Sequence, residues 1–265
     1  MLVKQMLLAA LCSCFVMSAT EPIGVRTAVL GSDASVSQYL VVLPHIAYGG
    51  AWRTQIVIGN TSSTAADVTI YYYRSDGTPL SLAIAGVLAD HTTLTIPAYG
   101  SRTVEPDWQD AATTAGWAGL VYSNSGLKIQ GVFLWHNAAE PADKYIEATA
   151  PIISQAKTTC IIPLPSGDSS LSMPFDETQG RVSGYGFANT TNAPVTMNLM
   201  FYDQDGQMIS QYSEQLAAFG HDHFLVKDRV QSLANRKGTM QVNGQGIAPL
   251  GFRFTPYGTF TTWLP

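Results

Sequence analysis

Histidine is the side chain best suited to move a proton near neutral pH or to hold a transition metal, and the chain has five: His45, His91, His136, His221 and His223. Only His221-Asp222-His223 is clustered. On a strand, positions 221 and 223 share one face and could supply half of a zinc site. In the other copy of an internal repeat these positions are Ser101 and Thr103, which favours a solvated strand face, and no metal site is assigned.

Nucleophilic chemistry has little support. A serine hydrolase needs an activated serine, a base and an orienting acid, and the sequence holds no G-x-S-x-G elbow and no strand-helix alternation to carry one. Ser154-Gln155-Ala156-Lys157 matches S-x-x-K, without its companion signatures and inside an expected linker. Cys160, in TTCIIPLP, reads as a small buried hydrophobe. Asp203-Gln204-Asp205-Gly206 opens like a calcium loop but lacks the later oxygen ligands and the closing Glu. A hydrolase would need histidine and carboxylates in one cleft, for instance His136 with Glu140 or Asp143. No catalytic residue is assigned, and no cofactor is implied.

Binding chemistry is better represented. Tyr48, Trp52, Trp117, Trp135 and Trp263, with Trp108 and Tyr71–Tyr73, form an aromatic set large enough for a sugar-stacking platform. The Gly-Gly segment from His45 to Trp52 reads as a loop, and loops at the ends of sandwiches carry recognition, so His45, Tyr48 and Trp52 are the candidate ligand-binding residues. Asn60-Thr61-Ser62 and Asn189-Thr190-Thr191 fit the glycosylation sequon. Their equivalent positions just past a strand favour Asx-type turns instead.

The repeat settles what must position these residues. IVIGNTSSTAADVTIYYYRSDGTPL from Ile56 aligns without a gap on YGFANTTNAPVTMNLMFYDQDGQMI from Tyr185, pairing Asn60 with Asn189 and Asp76 with Asp205. IPAYGSRTV then aligns on LAAFGHDHF and KIQGVFLW on APLGFRFT, both at one common offset nine residues shorter. Runs rich in Val, Ile, Thr, Tyr and Phe between Gly, Pro, Asn and Asp predict β-strands. The first copy reads as strands near 39–44, 53–60, 66–74, 79–85, 91–96, 101–105, 116–123, 127–136 and 145–151. The second reads near 159–164, 181–189, 194–202, 207–216, 221–226, 237–243, 247–255 and 259–264. Asp76-Gly77 and Asp205-Gly206 predict type I′ hairpins. One or two helical turns are expected within 226–238, closed by Gly238 as C-cap, and in the matching stretch 106–116. The fold class is therefore all-β: two tandem homologous Ig-like β-sandwich units, 39–152 and 159–265, with a polar junction at 152–158 and loops at 137–144 and 165–180.

The N-terminus places Lys4 before an apolar run ending at Ser18-Ala19, the order of a secretory signal peptide over 1–19, with a segment 20–38 to follow. A rival reading takes Leu11-Cys12-Ser13-Cys14 as a lipoprotein box with Cys14 lipidated. Either way Cys160 is the one thiol left, so no internal disulfide can form. Later apolar runs are too short to span a membrane. Charged residues make up 12% of the chain, its net charge is −5 and 46% of it is hydrophobic. That composition excludes a nucleic-acid footprint and a disordered chain.

LPHIAYGGAWRTQIVIGNTS, the Asp-Gly hairpin, AYGS, GWAGLVY and the closing FTTWLP resemble a family of uncharacterised exported proteins of environmental bacteria with tandem Ig-like units. The resemblance covers about 39–265 and implies fold and export, with no activity to carry over. The expected function is a non-enzymatic structural or interaction protein of the periplasm, cell surface or extracellular space. The alternatives are a carbohydrate- or peptide-binding module using loop aromatics, and a hydrolase with an unrecognised site. The implied partner is a protein or glycan at the cell surface, and open edge strands leave room for self-association.

Overall fold

The computed structural model describes residues 39–107, 112–136, 145–150, 153–155 and 171–263. The leader, Cys14, the segment 20–38, Trp108, Glu140, Asp143, Lys157, Cys160 and the strand expected at 159–164 lie outside the described residues.

β-branched and aromatic runs become strands, as their shape on a pleated surface favours. The first half contains β1 (Tyr39–Tyr48), β2 (Trp52–Asn60), β3 (Ala66–Arg74), β4 (Leu82–Ile84), β5 (Val87–Ala89) and β6 (His91–Ile96). It continues with β7 (Ser101–Val104), β8 (Thr114–Tyr122), β9 (Leu127–Trp135), β10 (Ile146–Ala150) and β11 (Ile153–Gln155). The second half contains β12 (Leu171–Asp176), β13 (Val182–Asn189), β14 (Val195–Tyr202), β15 (Met208–Leu216) and β16 (His221–Leu225). After a helical turn at Val226–Arg229 and a 3₁₀ turn at Gln231–Leu233 come β17 (Lys237–Asn243), β18 (Ile247–Phe254) and β19 (Phe260–Trp263).

All pairings are antiparallel, and the architecture is all-β and sandwich-like. In the first half one sheet runs β11-β1-β8-β3-β6 and the other β10-β9-β2-β7. In the second half the orders are β12-β17-β14-β15 and β19-β18-β13-β16. If β2 is laid on β13, β3 on β14, β7 on β16 and β9 on β18, as the alignment requires, the two sets of orders coincide, with β11 an added edge strand. The nine extra residues of the first half are the β4–β5 hairpin. Its turn has positive φ at both Ala85 (51°) and Gly86 (81°), and both amides donate to the Asp107 carboxylate, at 2.9 and 2.7 Å.

Local geometry repeats as well. Asn60 and Asn189 are buried. The Asn60 side-chain amide donates to Thr64 and Ile96 carbonyls, and that of Asn189 to Ala193 and Ala217. Each Oδ1 accepts from the backbone N–H and hydroxyl two residues on, Ser62 or Thr191. Both sequon asparagines thus close Asx turns.

Several expectations need correction. The Asp-Gly turns are not type I′, because only Gly77 and Gly206 have positive φ. Arg74 and Asp203 donate across three-residue loops to Thr78 and Gln207, the geometry of a type I turn followed by a left-handed glycine. The segment 165–180 is not all loop. It carries β12, whose Met173 and Phe175 alternate into the core and whose Pro174 is tolerated because β12 pairs only with β17. The junction is not free of strand, since Ile153–Gln155 pairs with Leu40–Val42. Gly238 is no helix cap: it lies in β17, where any Cβ would collide with the carbonyl of Tyr202.

Two core clusters form, one around Ile58, Ile70 and Leu120 that also takes in Leu250, Phe252 and Phe260 of the second half, the other around Phe187, Leu199 and Val242. A third cluster joins them: Leu40, Val42, Tyr73 and Trp117 against Ala188, Phe219 and Ala248. Strands β1, β13 and β18 are consequently buried on both faces. Along β13 the odd positions Tyr185 and Phe187 enter the second core, while Gly184, Gly186 and Ala188 form a floor of small residues toward the first half.

Candidate functional site

Pro44 and His45 sit at a register shift in β1, between Leu43 and Ile46. A bulge re-aims side chains: Leu43 and Ile46 both enter the first core, and His45 turns toward the second half. There it stands over Gly186, where a Cβ would lie 2.8 Å from the Cβ of His45. His45 is thus strand-borne, and the expected loop shrinks to a tight turn at Gly49-Gly50.

On β16, His221 and His223 share the face that includes Gly186 and Ala188, their cross-strand partners being His223↔Gly186 and His221↔Ala188. Three imidazoles therefore meet at the junction. The His45 ring centroid lies 5.1 Å from that of His221 and 5.4 Å from that of His223, and the latter two are 5.3 Å apart. His45 Nδ1 and His221 Nε2 are 3.0 Å apart, so one donates to the other. His221 Nδ1 lies 3.3 Å from Ser75 Oγ, and the His221 amide donates to the Ser75 carbonyl. The expectation of a solvated face fails at His221, which is buried because this sheet face is covered by the first half.

Burial sets the protonation of this cluster. It pushes the His45 pKa down to about 3, helped by His223. It pushes His221 well below the ordinary histidine value, with His45 and His223 adding to the effect. His223 is also lowered by burial, opposed by Asp222 and reinforced by Arg229. Asp222 is held by Arg229 through two bonds of 2.5 and 2.8 Å. At neutral pH the buried pair is uncharged and shares one proton along its hydrogen bond. The row Ser75–His221–His45 has the outline of a triad. Ser75 meets Nδ1 of a base whose proton affinity is suppressed, the third member is neutral, and Ser75 lies on an exposed turn outside the cavity. Among the described residues no three His, Cys, Asp or Glu side chains are placed to hold a metal ion.

Beside the imidazoles opens a cavity of about 490 Å³ between the halves. One wall is Trp52 and Trp135 from β2 and β9, with Ala47 and Ala115 from β1 and β8. The other is Phe252, Phe254 and Phe260 from β18 and β19, with Tyr185 and Phe224 behind. The rings interlock: Trp52 meets Phe260 edge-on at 5.4 Å and Phe254 at 6.3 Å, and Trp135 lies 6.3 Å from Trp52. The polar lining residues are His45, His223, Lys227, Thr113, Thr255 and Thr259.

Of the sequence candidates, His45 and Trp52 both line the cavity, while Tyr48 packs half-buried against the first core and lines a separate crevice with Ile46 and Tyr72. Trp117 is buried at the junction, its indole N–H donating to the Phe219 carbonyl at 2.7 Å. His136 packs beside Tyr145 and His91 pairs with Asp90 on the surface, and neither lines the cavity. Sequence reasoning missed Phe252, Phe254, Phe260 and Lys227. A signal existed in the outward positions of the aligned strands. The first half has Lys128, Gln130, Val132 and Leu134 where the second has Ala248, Leu250, Phe252 and Phe254, an apolar period-2 stripe on a face that should have met water.

No helix among the described residues is long and apolar enough to cross a membrane. Comparison with protein-family models gives no match for this chain, and comparison with characterised proteins gives none either.

Proposed function

We propose that this is a non-enzymatic, exported interaction protein built from two tandem copies of one sandwich unit, and that it binds a largely apolar ligand in the cavity between them. The coincident strand orders and the matched Asx turns support the tandem reading. The cavity carries the binding reading. Its volume of about 490 Å³ falls within the roughly 300–1,000 Å³ of small-molecule sites, which combine apolar walls with a few polar groups. Aromatic rings from both halves wall it, so the repeat itself creates the site. A glycan stacked on an open platform fits less well, because Trp52 and Trp135 are strand-borne cavity walls and polar partners for sugar hydroxyls are few.

The test is titration of the neutral dye N-phenyl-1-naphthylamine into the full chain and into Ala115→Trp, which puts a large ring into the cavity. Saturable binding of one dye per chain, at least about tenfold weaker in the variant (~1.4 kcal/mol), supports the proposal. Absence of saturable binding, or equal binding to a folded variant, overturns it.

A further inference from the structure

We infer that the ligand is a monoanionic amphiphile, a carboxylate on an apolar body, with its headgroup at Lys227 and its body in the cavity against the aromatic surface formed by Trp52, Trp135, Phe254 and Phe260. This deepens the proposed cavity function and rests on it. The cavity is electrically one-sided. Among the described residues that line it only Lys227 carries a full charge and none is Asp or Glu; burial pushes the His45 pKa down to about 3, and that of His223 is lowered as well. In a chain of net charge −5, a lone cation at an aromatic cavity is a sign-specific feature. Lys227 lies in the helical turn that follows β16, four residues after His223 and beyond the end of β16 where Leu225 pairs with Gly184. Burial raises the pKa of Glu177 and Lys227 slightly opposes it, and the Glu177 Oε1 accepts the Ser183 amide at 2.6 Å. Lys227 has no ion pair within 4.0 Å among the described residues, whereas the neighbouring Arg229 is held by Asp222.

A single ammonium matches a monoanion. A phosphate dianion draws on bidentate arginine or several donors, and Arg229, two residues on, is already engaged by Asp222. The body of the ligand meets rings on both sides, which suits an aliphatic chain or a fused aromatic system. Because Lys227 is exposed, its attraction is worth no more than an open ion pair, up to about fivefold in affinity, and it weakens in salt.

The experiment is displacement of N-phenyl-1-naphthylamine from the full chain by dodecanoate, dodecanol and dodecylammonium, at low and high salt, in wild type and Lys227→Gln. Expected is an order dodecanoate, dodecanol, dodecylammonium, with dodecanoate about fivefold tighter than dodecanol at low salt and the gap closed by salt or by Lys227→Gln. Equal displacement by acid and alcohol, preference for the amine, or a gap that survives Lys227→Gln overturns the inference while leaving the apolar cavity standing. Failure of the dye itself to bind removes the cavity function and this inference together.

Discussion

Acid should loosen the junction through the buried histidine pair, and the size of the effect follows from the structure. The folded pKa of His45 is lowered from 6.5 to about 3, so the unfolded chain binds this proton first. Stability from this group is complete above pH 6.5, declines as pH falls from there, and stops declining only near pH 3, where the folded form also protonates. The full span is roughly 5 kcal/mol at 1.36 kcal/mol per pKa unit. Between pH 7 and 5 the linkage amounts to about 2 kcal/mol. His221, lowered by the same burial, acts in the same direction. Glu177, whose pKa is raised by burial, opposes them, since its folded form takes up a proton before the unfolded one. Urea unfolding followed by tryptophan fluorescence at pH 7, 6 and 5 reads the slope in wild type and in His45→Phe, an aromatic replacement among Phe133 and Phe252. The variant should lose about 2 kcal/mol less than wild type over that range. The comparison rests on the slope, so a uniformly less stable variant still informs. Identical slopes would refute the claim that His45 is buried uncharged at the junction.

Two further substitutions test the packing. Gly186→Ala places a methyl against His45 and should cost about 1–3 kcal/mol as an overpacked contact, whereas Gly59→Ala, where a Cβ meets nothing closer than 4.0 Å, should be within about 0.5 kcal/mol of wild type by urea unfolding. Asn189→Ala leaves the Ala193 and Ala217 carbonyls without their side-chain donor and should cost about 2 kcal/mol; Asn60→Ala should cost the same within error, because its side chain likewise donates to two backbone carbonyls and closes the same Asx turn.

The sequence held the strand pattern, the repeat offset and both Asx turns, because each depends on residues close along the chain or on self-similarity. It also set His221 and His223 on one face. It could not bring His45 to them, because that contact spans the junction and needs both the bulge at Pro44-His45 and the absence of a side chain at Gly186. The loop expected around His45 failed for a related reason: Pro44 reads as a strand breaker, yet a bulge absorbs it. The cavity was half legible. Trp52 announced itself by type, whereas Phe252 and Phe254 looked like ordinary core residues until their outward alternation was set against Lys128 and Gln130. β12 was hidden because its run, LSMPFD, is short and carries a proline that only an edge strand accepts.

The most direct measurement is a crystal structure of the chain soaked with 1-bromonaphthalene, read by the anomalous signal of bromine. One strong bromine site is expected in the cavity that both halves wall, against the rings of Trp52, Trp135 and Phe254. Strong bromine sites confined to the outer surface, with the cavity empty, would contradict the binding function.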